Sequence, residues 1–171
     1  MSFIIRQASY DAIPEIRGMA DVVFRLTYAD ILSPDQMEYM MDWMYSAESL
    51  REQVGGKDKY FFIAESDGDP AGYVSFELER SLPDGRNLYH LQKLYVMPGY
   101  QHSGLGGKLF NFVKDKLSVM NPDGCRVELN VNRNNIATGF YEHMGMIRDR
   151  EGDFPIGNGY FMNDYIYALD I

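Results

Sequence analysis

Apolar positions along the chain change their spacing several times, and each change marks an element. Residues 3–6 read as a short first strand. From about Asp11, Ile13, Ile16, Met19, Ala20, Val23 and Leu26 recur at helical spacing. Ser33 and Pro34 suit an N-cap and first-turn position, and Met37, Met40, Met41, Met44 and Tyr45 then form one stripe of a second helix. Thioether side chains are pliable, so this stripe suits core packing or a substrate wall. Residues 60–65, 71–79 and 88–97 are rich in aromatic and branched side chains with turn residues between them, which predicts an antiparallel meander. A helix over about 103–119 follows, stopped by Asn121-Pro122-Asp123-Gly124. Then come a strand over 126–131, a helix over 135–144, and strands over 146–150 and 160–169. This order predicts an α+β fold: one mixed central sheet of about six to seven strands with flanking helices.

With 171 residues, 46% of them hydrophobic, the chain fits a single domain spanning 1–171. The 16 Lys and Arg against 25 Asp and Glu leave a formal charge of -9, which disfavours nucleic acid and mildly favours a cationic partner. Cys125 is the single cysteine, so no internal disulfide framework is available. The N-terminal residues lack the apolar run of a signal peptide, and no stretch approaches the roughly 18 apolar residues of a membrane span. A cytoplasmic protein without membrane contact is the expectation.

The most informative stretch is LYVMPGYQHSGLGGKLFNFV, residues 94–113, where a strand runs into a glycine-rich turn that opens a helix. Such a turn points several backbone N–H groups at one spot, with the helix dipole behind them. A phosphate-like anion binds there, and Gly104, Gly106 and Gly107 allow it close to the backbone. Gly99 and Gly104 have the first spacing of a nucleotide-hydrolysing phosphate loop, but Leu105 stands where that loop needs lysine. The dinucleotide fingerprint fails at Leu109, which occupies the place of its third glycine. By themselves these glycines also fit a simple tight turn.

A second stretch, VNRNNIATGFYEHMGM, spans residues 131–146. With Asn134 as the helix cap, Ala137, Thr138 and Tyr141 fall on one polar-aromatic face, while Ile136, Phe140 and Met144 form a separate apolar stripe.

Together the two stretches resemble the GNAT-type N-acetyltransferase superfamily. Its acetyl-CoA motif (Gln or Arg, two residues, Gly, one residue, Gly or Ala) is met by Gln101-His102-Ser103-Gly104-Leu105-Gly106 after the strand ending LYVMP. Its later helix motif is met by Asn134, Ala137, Phe140, Tyr141 and Gly145. The resemblance covers about residues 88–147 and implies a fold with splayed central strands. It also implies that acetyl-CoA is the co-substrate, its pantetheine arm lying in the gap as a pseudo-strand against backbone groups of Leu94, Tyr95 and Val96. The pyrophosphate would sit on the amides of 101–106, with Gly107 and Lys108 next along the turn, and Asn134 would bond the arm. Lys108 is either a local positive charge for the cofactor or a solvated first-turn lysine.

Direct attack on a thioester needs a neutral amine, a polarised carbonyl and a proton for the departing thiolate. A lysine-like amine has a pKa near about 10.4, so a proton acceptor is useful at neutral pH. Family members often carry a glutamate four residues before the LYV triplet, where this chain has His90. Histidine can accept a proton directly or through water, and the alternative is a half-exposed strand residue with no role. Tyr141 stands at the family's position for the general acid that protonates the sulfur, and the amide of Val96 at that for carbonyl polarisation. No histidine has metal-ligand spacing with a partner, so no metal is expected.

These readings imply an acetyl-CoA-dependent N-acetyltransferase acting on a primary amine: a small molecule, a polyamine or a peptide. The alternative is a non-catalytic CoA-binding sensor or interaction module of the same fold. Glu77 and Glu79, on one strand face by period two, together with Asp149, Asp153 and Asp164, would steer a cationic acceptor. Failing that, specificity falls to the front helices, with Tyr28 and the methionine stripe. Tyr165 and Tyr167 on the last strand offer either a homodimer surface or ordinary sheet packing.

Overall fold

The computed structural model describes residues 1–171. Its seven-stranded mixed sheet has the order β1 (Ile4–Gln7), β2 (Lys59–Ser66), β3 (Asp69–Ser81), β4 (Asn87–Val96), β5 (Cys125–Asn132), β7 (Tyr160–Asp170), β6 (Ile147–Gly157). Every neighbouring pair is antiparallel except β4 with β5. That parallel pairing is short, running from Asn87 opposite Cys125 to His90 opposite Glu128. Beyond it β4 stays paired to β3 as far as Val96, and β5 to β7 as far as Asn132, with no pairing across the gap. The sheet therefore forks after His90. Ser75 pairs with Lys93 and Phe76 with Leu91, leaving Gln92 as the extra residue of a β-bulge. A bulge bends its strand, and this one sits where the fork opens.

Helices α1 (Ile13–Tyr28), α2 (Pro34–Tyr45) and α3 (Ala47–Gly55) cover one face, and α4 (Leu105–Met120) and α5 (Ala137–His143) the other. On the first face Ile16, Ala20, Val23, Phe24 and Leu50 pack on Phe61, Ile63 and Tyr73. On the second, Leu105, Leu109, Val113 and Leu117 pack on Val74, Phe76, Val127 and Leu129. Ser33 Oγ accepts the Gln36 N–H at 3.2 Å with Pro34 in the first turn, so α2 starts as its sequence predicts. Met37, Met40 and Tyr45 are buried in the same core.

Three departures have physical causes, and one open alternative is narrowed. Leu26 is 64% exposed and Phe24 is buried in its place. Two residues advance a helix by more than half a turn, so both cannot face the sheet. Helix α3 is not announced by the pattern, because Leu50 is its only buried side chain. Strand β6 runs to Gly157 rather than to residue 150: half-buried Gly152, Phe154 and Ile156 alternate with exposed neighbours there, but the glycines and Pro155 among them disguise the edge strand. It returns through Asn158 and Gly159, at φ 55° and 78°, the left-handed pair that a two-residue hairpin turn requires. Finally, Tyr167 is fully buried and donates to Glu142 Oε1 at 2.8 Å, while the Arg148 guanidinium lies 3.7 Å from the Tyr165 ring centroid. Both rings face the α4–α5 side, so neither is a free apolar surface for a dimer. No helix is long and apolar enough to cross a membrane.

Candidate active site

Strand β4 ends at Val96, a short turn follows, and α4 begins at Leu105. The turn carries two left-handed residues, His102 at φ 62° and Gly104 at φ 85°. Alternating handedness of this kind points successive amides to one side. The turn is braced internally: Gln101 N–H reaches Pro98 O at 3.4 Å, Ser103 Oγ donates to Tyr100 O, and Leu105 N–H bonds Ser103 Oγ at 3.4 Å. Lys108 N–H closes the first helical bond on Gly104 O at 3.1 Å. No backbone bond uses the amides of His102, Ser103, Gly104, Gly106 or Gly107. The free amides are thus those of 102–104 and 106–107 rather than all of 101–106, because Gln101 and Leu105 spend theirs within the turn. The Gln101 side chain donates to Val96 O at 3.2 Å, fastening the turn to the strand.

Gly106 has room for a Cβ in ordinary packing contact. A Cβ there would stand 3.4 Å from the Phe140 ring and 3.9 Å from Val96 Cγ2. The turn, the end of β4 and α5 therefore meet at this glycine. Lys108 Nζ lies 5.2 Å from the Phe3 ring centroid, a cation–π contact with the first residues of the chain.

Asn134 does not cap α5. Its side chain is exposed and its N–H goes to Asn132 Oδ1 at 2.9 Å, whereas Asn135 Oδ1 accepts the Ala137 N–H at 2.9 Å. The helix thus begins at Ala137, two residues later than the Asn134 cap implies. Ile136 is 96% exposed, so it leaves the expected apolar stripe. The packed face is instead Ala137, Phe140, Tyr141 and Met144. The Tyr141 ring lies against Phe140 and Phe110, with centroids 5.2 and 6.5 Å away. Burial, reinforced by nearby Tyr28, pushes its phenol well above the ordinary tyrosine pKa. Its proton is therefore retained at neutral pH.

From the opposite face of the sheet, Tyr28 at the end of α1 places its hydroxyl 3.3 Å from that of Tyr95 on β4. Asn135 Nδ2 donates to the same Tyr28 oxygen at 3.4 Å. Tyr28 also walls a cleft completed by Leu32, Gln36, Met40, Asn130 and Asp164. The β6–β7 hairpin closes the far side of this cleft. Tyr39 donates to Ile156 O at 2.6 Å and packs on Tyr160, and Gln36 Nε2 donates to Phe161 O at 3.0 Å. Sequence reasoning missed Asn135 and Asn130 altogether. The first had a signal in its asparagine pair, since such side chains bond the backbone two residues on. The second became legible only when β5 and β7 were paired.

His90 stands at the start of the fork, between Glu77 on β3 and Glu128 on β5. Its Nδ1 is 3.5 Å from Glu79 Oε2, and this contact holds the Glu79 carboxyl below the usual range. Glu79 occupies a bulge between Leu78 and Arg80, so strict alternation with Glu77 is broken. Glu77 is occupied by Gln92 at 2.8 Å and by Lys59 at 3.7 Å. Asp149 pairs with Arg150 at 2.6 Å and Asp153 with Arg133 at 2.5 Å. Much of the expected acidic field is thus neutralised locally. His90 also lies four residues short of Leu94, about 13 Å along an extended strand. No group of three or more His, Cys, Asp or Glu side chains is arranged to hold a metal.

Residues 28–154 match the family model described as the acetyltransferase (GNAT) domain. An uncharacterised N-acetyltransferase of Lactobacillus delbrueckii is 24% identical over 156 residues, 90% of each chain. A spermidine N(1)-acetyltransferase of Thermoplasma acidophilum is 25% identical over 169 residues, 94% of this chain and 99% of that one. The crystal structure of an N-acetyltransferase from the same organism, in complex with coenzyme A, superimposes with a TM-score of 0.81 at 22% identity over the whole of both chains. The family model covers well over half of the 171 residues, and the chain, with its forked sheet, its turn of free amides at the mouth of the fork and its buried Tyr141, belongs to the GNAT acetyltransferases.

Proposed function

We propose that this protein transfers the acetyl group of acetyl-CoA to a primary amine by direct attack. The observation that carries the reading is the fork itself. Its two edges have backbone groups with no partner across the gap, and at its mouth lie five amides without backbone partners. An extended amide-bearing arm ending in a pyrophosphate fits that donor set. Acetyl-CoA supplies the activated thioester. Leu94, Tyr95 and Val96 then offer backbone groups to the arm, and a strand amide there can polarise the carbonyl.

The amine nitrogen bonds to the carbonyl carbon as the carbon–sulfur bond breaks. One proton leaves the amine and one is delivered to the sulfur, so the products are an N-acetyl amine and a free thiol. Tyr141 holds the second proton at its Oη, in a site dry enough to keep it protonated until the thiolate forms. His90 takes the first through intervening water, with Glu79 orienting its ring. Tyr28, Asn135 and the cleft behind them receive the acceptor. A primary amine of a small molecule or polyamine suits a cleft of this narrowness better than a large partner.

The test is thiol release from acetyl-CoA over a panel of amines, with products identified by mass spectrometry. CoA binding without thiol release on any amine would support the non-catalytic module instead.

A further inference from the structure

Asp164 is 1% exposed, yet no arginine or lysine reaches it. Its Oδ2 accepts Asn130 Nδ2 at 3.2 Å, and its Oδ1 has no hydrogen-bond partner at all. Arg133, the arginine whose charge acts on Asp164, is committed to Asp153 at 2.5 Å and to Gly152 O at 3.3 Å. A carboxylate left half-satisfied in a closed site costs stability, and burial accordingly raises its pKa. The other tail acids differ in kind, since Asp149 and Asp153 each have an arginine. Asp164 also lines the acceptor cleft, whose remaining walls include the apolar Leu32, Met40 and Met162.

Register fixes how far this carboxylate is from the chemistry. His90 faces Glu128 across the last parallel pair, and Asn132, opposite Asp164, lies as many residues beyond Glu128 as Leu94 lies beyond His90. Asp164 therefore sits level with the LYV segment. It is displaced sideways by one strand from β5, about 5 Å, plus part of the fork. That offset is too great for the attacking nitrogen to touch Oδ1. It also suits the reaction, because a nitrogen ion-paired to a buried carboxylate is held in the charged form and cannot attack. Two amines joined by three or four methylenes, with bonds of about 1.5 Å, span roughly 5–6 Å.

We propose that Asp164 is a specificity-determining residue that binds a second, protonated nitrogen of the acceptor, so that the preferred acceptors are diamines and polyamines. Oδ1 takes the distal ammonium, and the methylenes lie along Leu32, Met40 and Met162. Tyr28, which joins the cleft to Tyr95, lies beside the reacting end. This rests on the acetyl-transfer reading and specifies the acceptor that reading leaves open.

The experiment compares 1,2-diaminoethane, 1,3-diaminopropane and 1,4-diaminobutane with propylamine and butylamine in wild type, Asp164→Asn and Asp164→Ala, following thiol release. Wild type should favour the three- or four-carbon diamine over its monoamine by about tenfold or more in kcat/KM, as expected for one charged hydrogen bond. Asp164→Asn should abolish that ratio by raising the diamine KM, with kcat and the acetyl-CoA KM nearly unchanged. Because Asn removes an unpaired buried charge without changing shape, its Tm should hold or rise, which separates lost recognition from lost folding. Calorimetry of 1,3-diaminopropane on CoA-saturated protein should show the same loss of affinity without any turnover. Equal use of monoamines and diamines by wild type, or a preference that survives Asp164→Asn, overturns the proposal and leaves amine acetylation standing. Failure to acetylate any amine overturns both.

Discussion

The hydroxyls of Tyr28 and Tyr95 lie 3.3 Å apart, joining the last residue of α1 to the splayed end of β4. The contact links the cleft to the fork, because Tyr95 is in the fork and Tyr28 walls the cleft. Tyr28→Phe keeps the ring, whose centroid is 4.5 Å from that of Phe24, and removes the oxygen shared with Tyr95 and Asn135. Acceptor kcat/KM should fall by about tenfold through KM, with CoA affinity unchanged. Steady-state kinetics with an unaltered acceptor KM would remove Tyr28 from the binding site.

Gly106 tests the anion turn. An aspartate there puts a Cβ 3.4 Å from the Phe140 ring and a negative charge among the free amides. CoA affinity should drop by about 100-fold or more while the fold survives, whereas Gly106→Ala, which carries only the packing change, should lose far less. Calorimetry giving wild-type affinity for the aspartate variant would contradict a pyrophosphate on this turn.

Removing the Tyr141 hydroxyl tests the acid. Tyr141→Phe should lower kcat by roughly 10² to 10⁴ with little change in CoA affinity. Since burial lifts the phenol above its ordinary pKa, wild-type kcat should show no loss of this acid below about pH 10. Equal loss in binding and rate would make Tyr141 a contact residue instead.

His90 is tested by His90→Gln, which preserves size and a hydrogen bond to Glu79 but cannot carry a proton. A relay role predicts a drop in kcat/KM of about tenfold or more. A change under about twofold would leave the strand histidine with no part in the transfer.

Lys93 gives stability a pH signature. It is 6% exposed, bonded to Gln53 Oε1 beside the Tyr45 ring, and burial lowers its pKa from 10.5 to about 8. Between those values the unfolded chain holds the proton and the folded chain does not, so stability rises with pH across that window. Relative to Lys93→Met, wild type should gain about 2 kcal/mol between pH 7.5 and 9.5 in urea denaturation. Above about pH 10 the trend should reverse, because burial holds Tyr45, Tyr73 and Tyr95 well above the ordinary tyrosine pKa.

What could be read from the sequence follows from how far each signal reaches along the chain. The meander, the start of α2 at Ser33 and the glycine turn are local, set by neighbours a few residues away, and the fold matches them. The second half of edge strand β6 was hidden because Gly152, Pro155 and Gly157, residues that usually end a strand, interrupt the alternation of Phe154 and Ile156. The side chain that meets the first helical N–H is that of Asn135 rather than Asn134, because neighbouring asparagines are equivalent to a spacing argument, and only packing chooses between them. The cleft was the least legible part. Its members come from α1, α2, β5 and β7, and Asp164 is singled out by a buried Oδ1 without a partner, which no linear pattern encodes.

The fork after His90 also has a mechanical meaning. Four residue pairs, Asn87–Cys125 to His90–Glu128, join two antiparallel half-sheets along a seam that stays open for the rest of its length. A molecule hydrogen-bonded to both lips would act as a splint across that seam, adding to stability with the logarithm of its concentration. Amide hydrogen exchange along 91–96 and 129–132 should then slow on loading, while the outer strands β1 and β6 keep their rates. In that case the donor completes the sheet whose incompleteness admitted it.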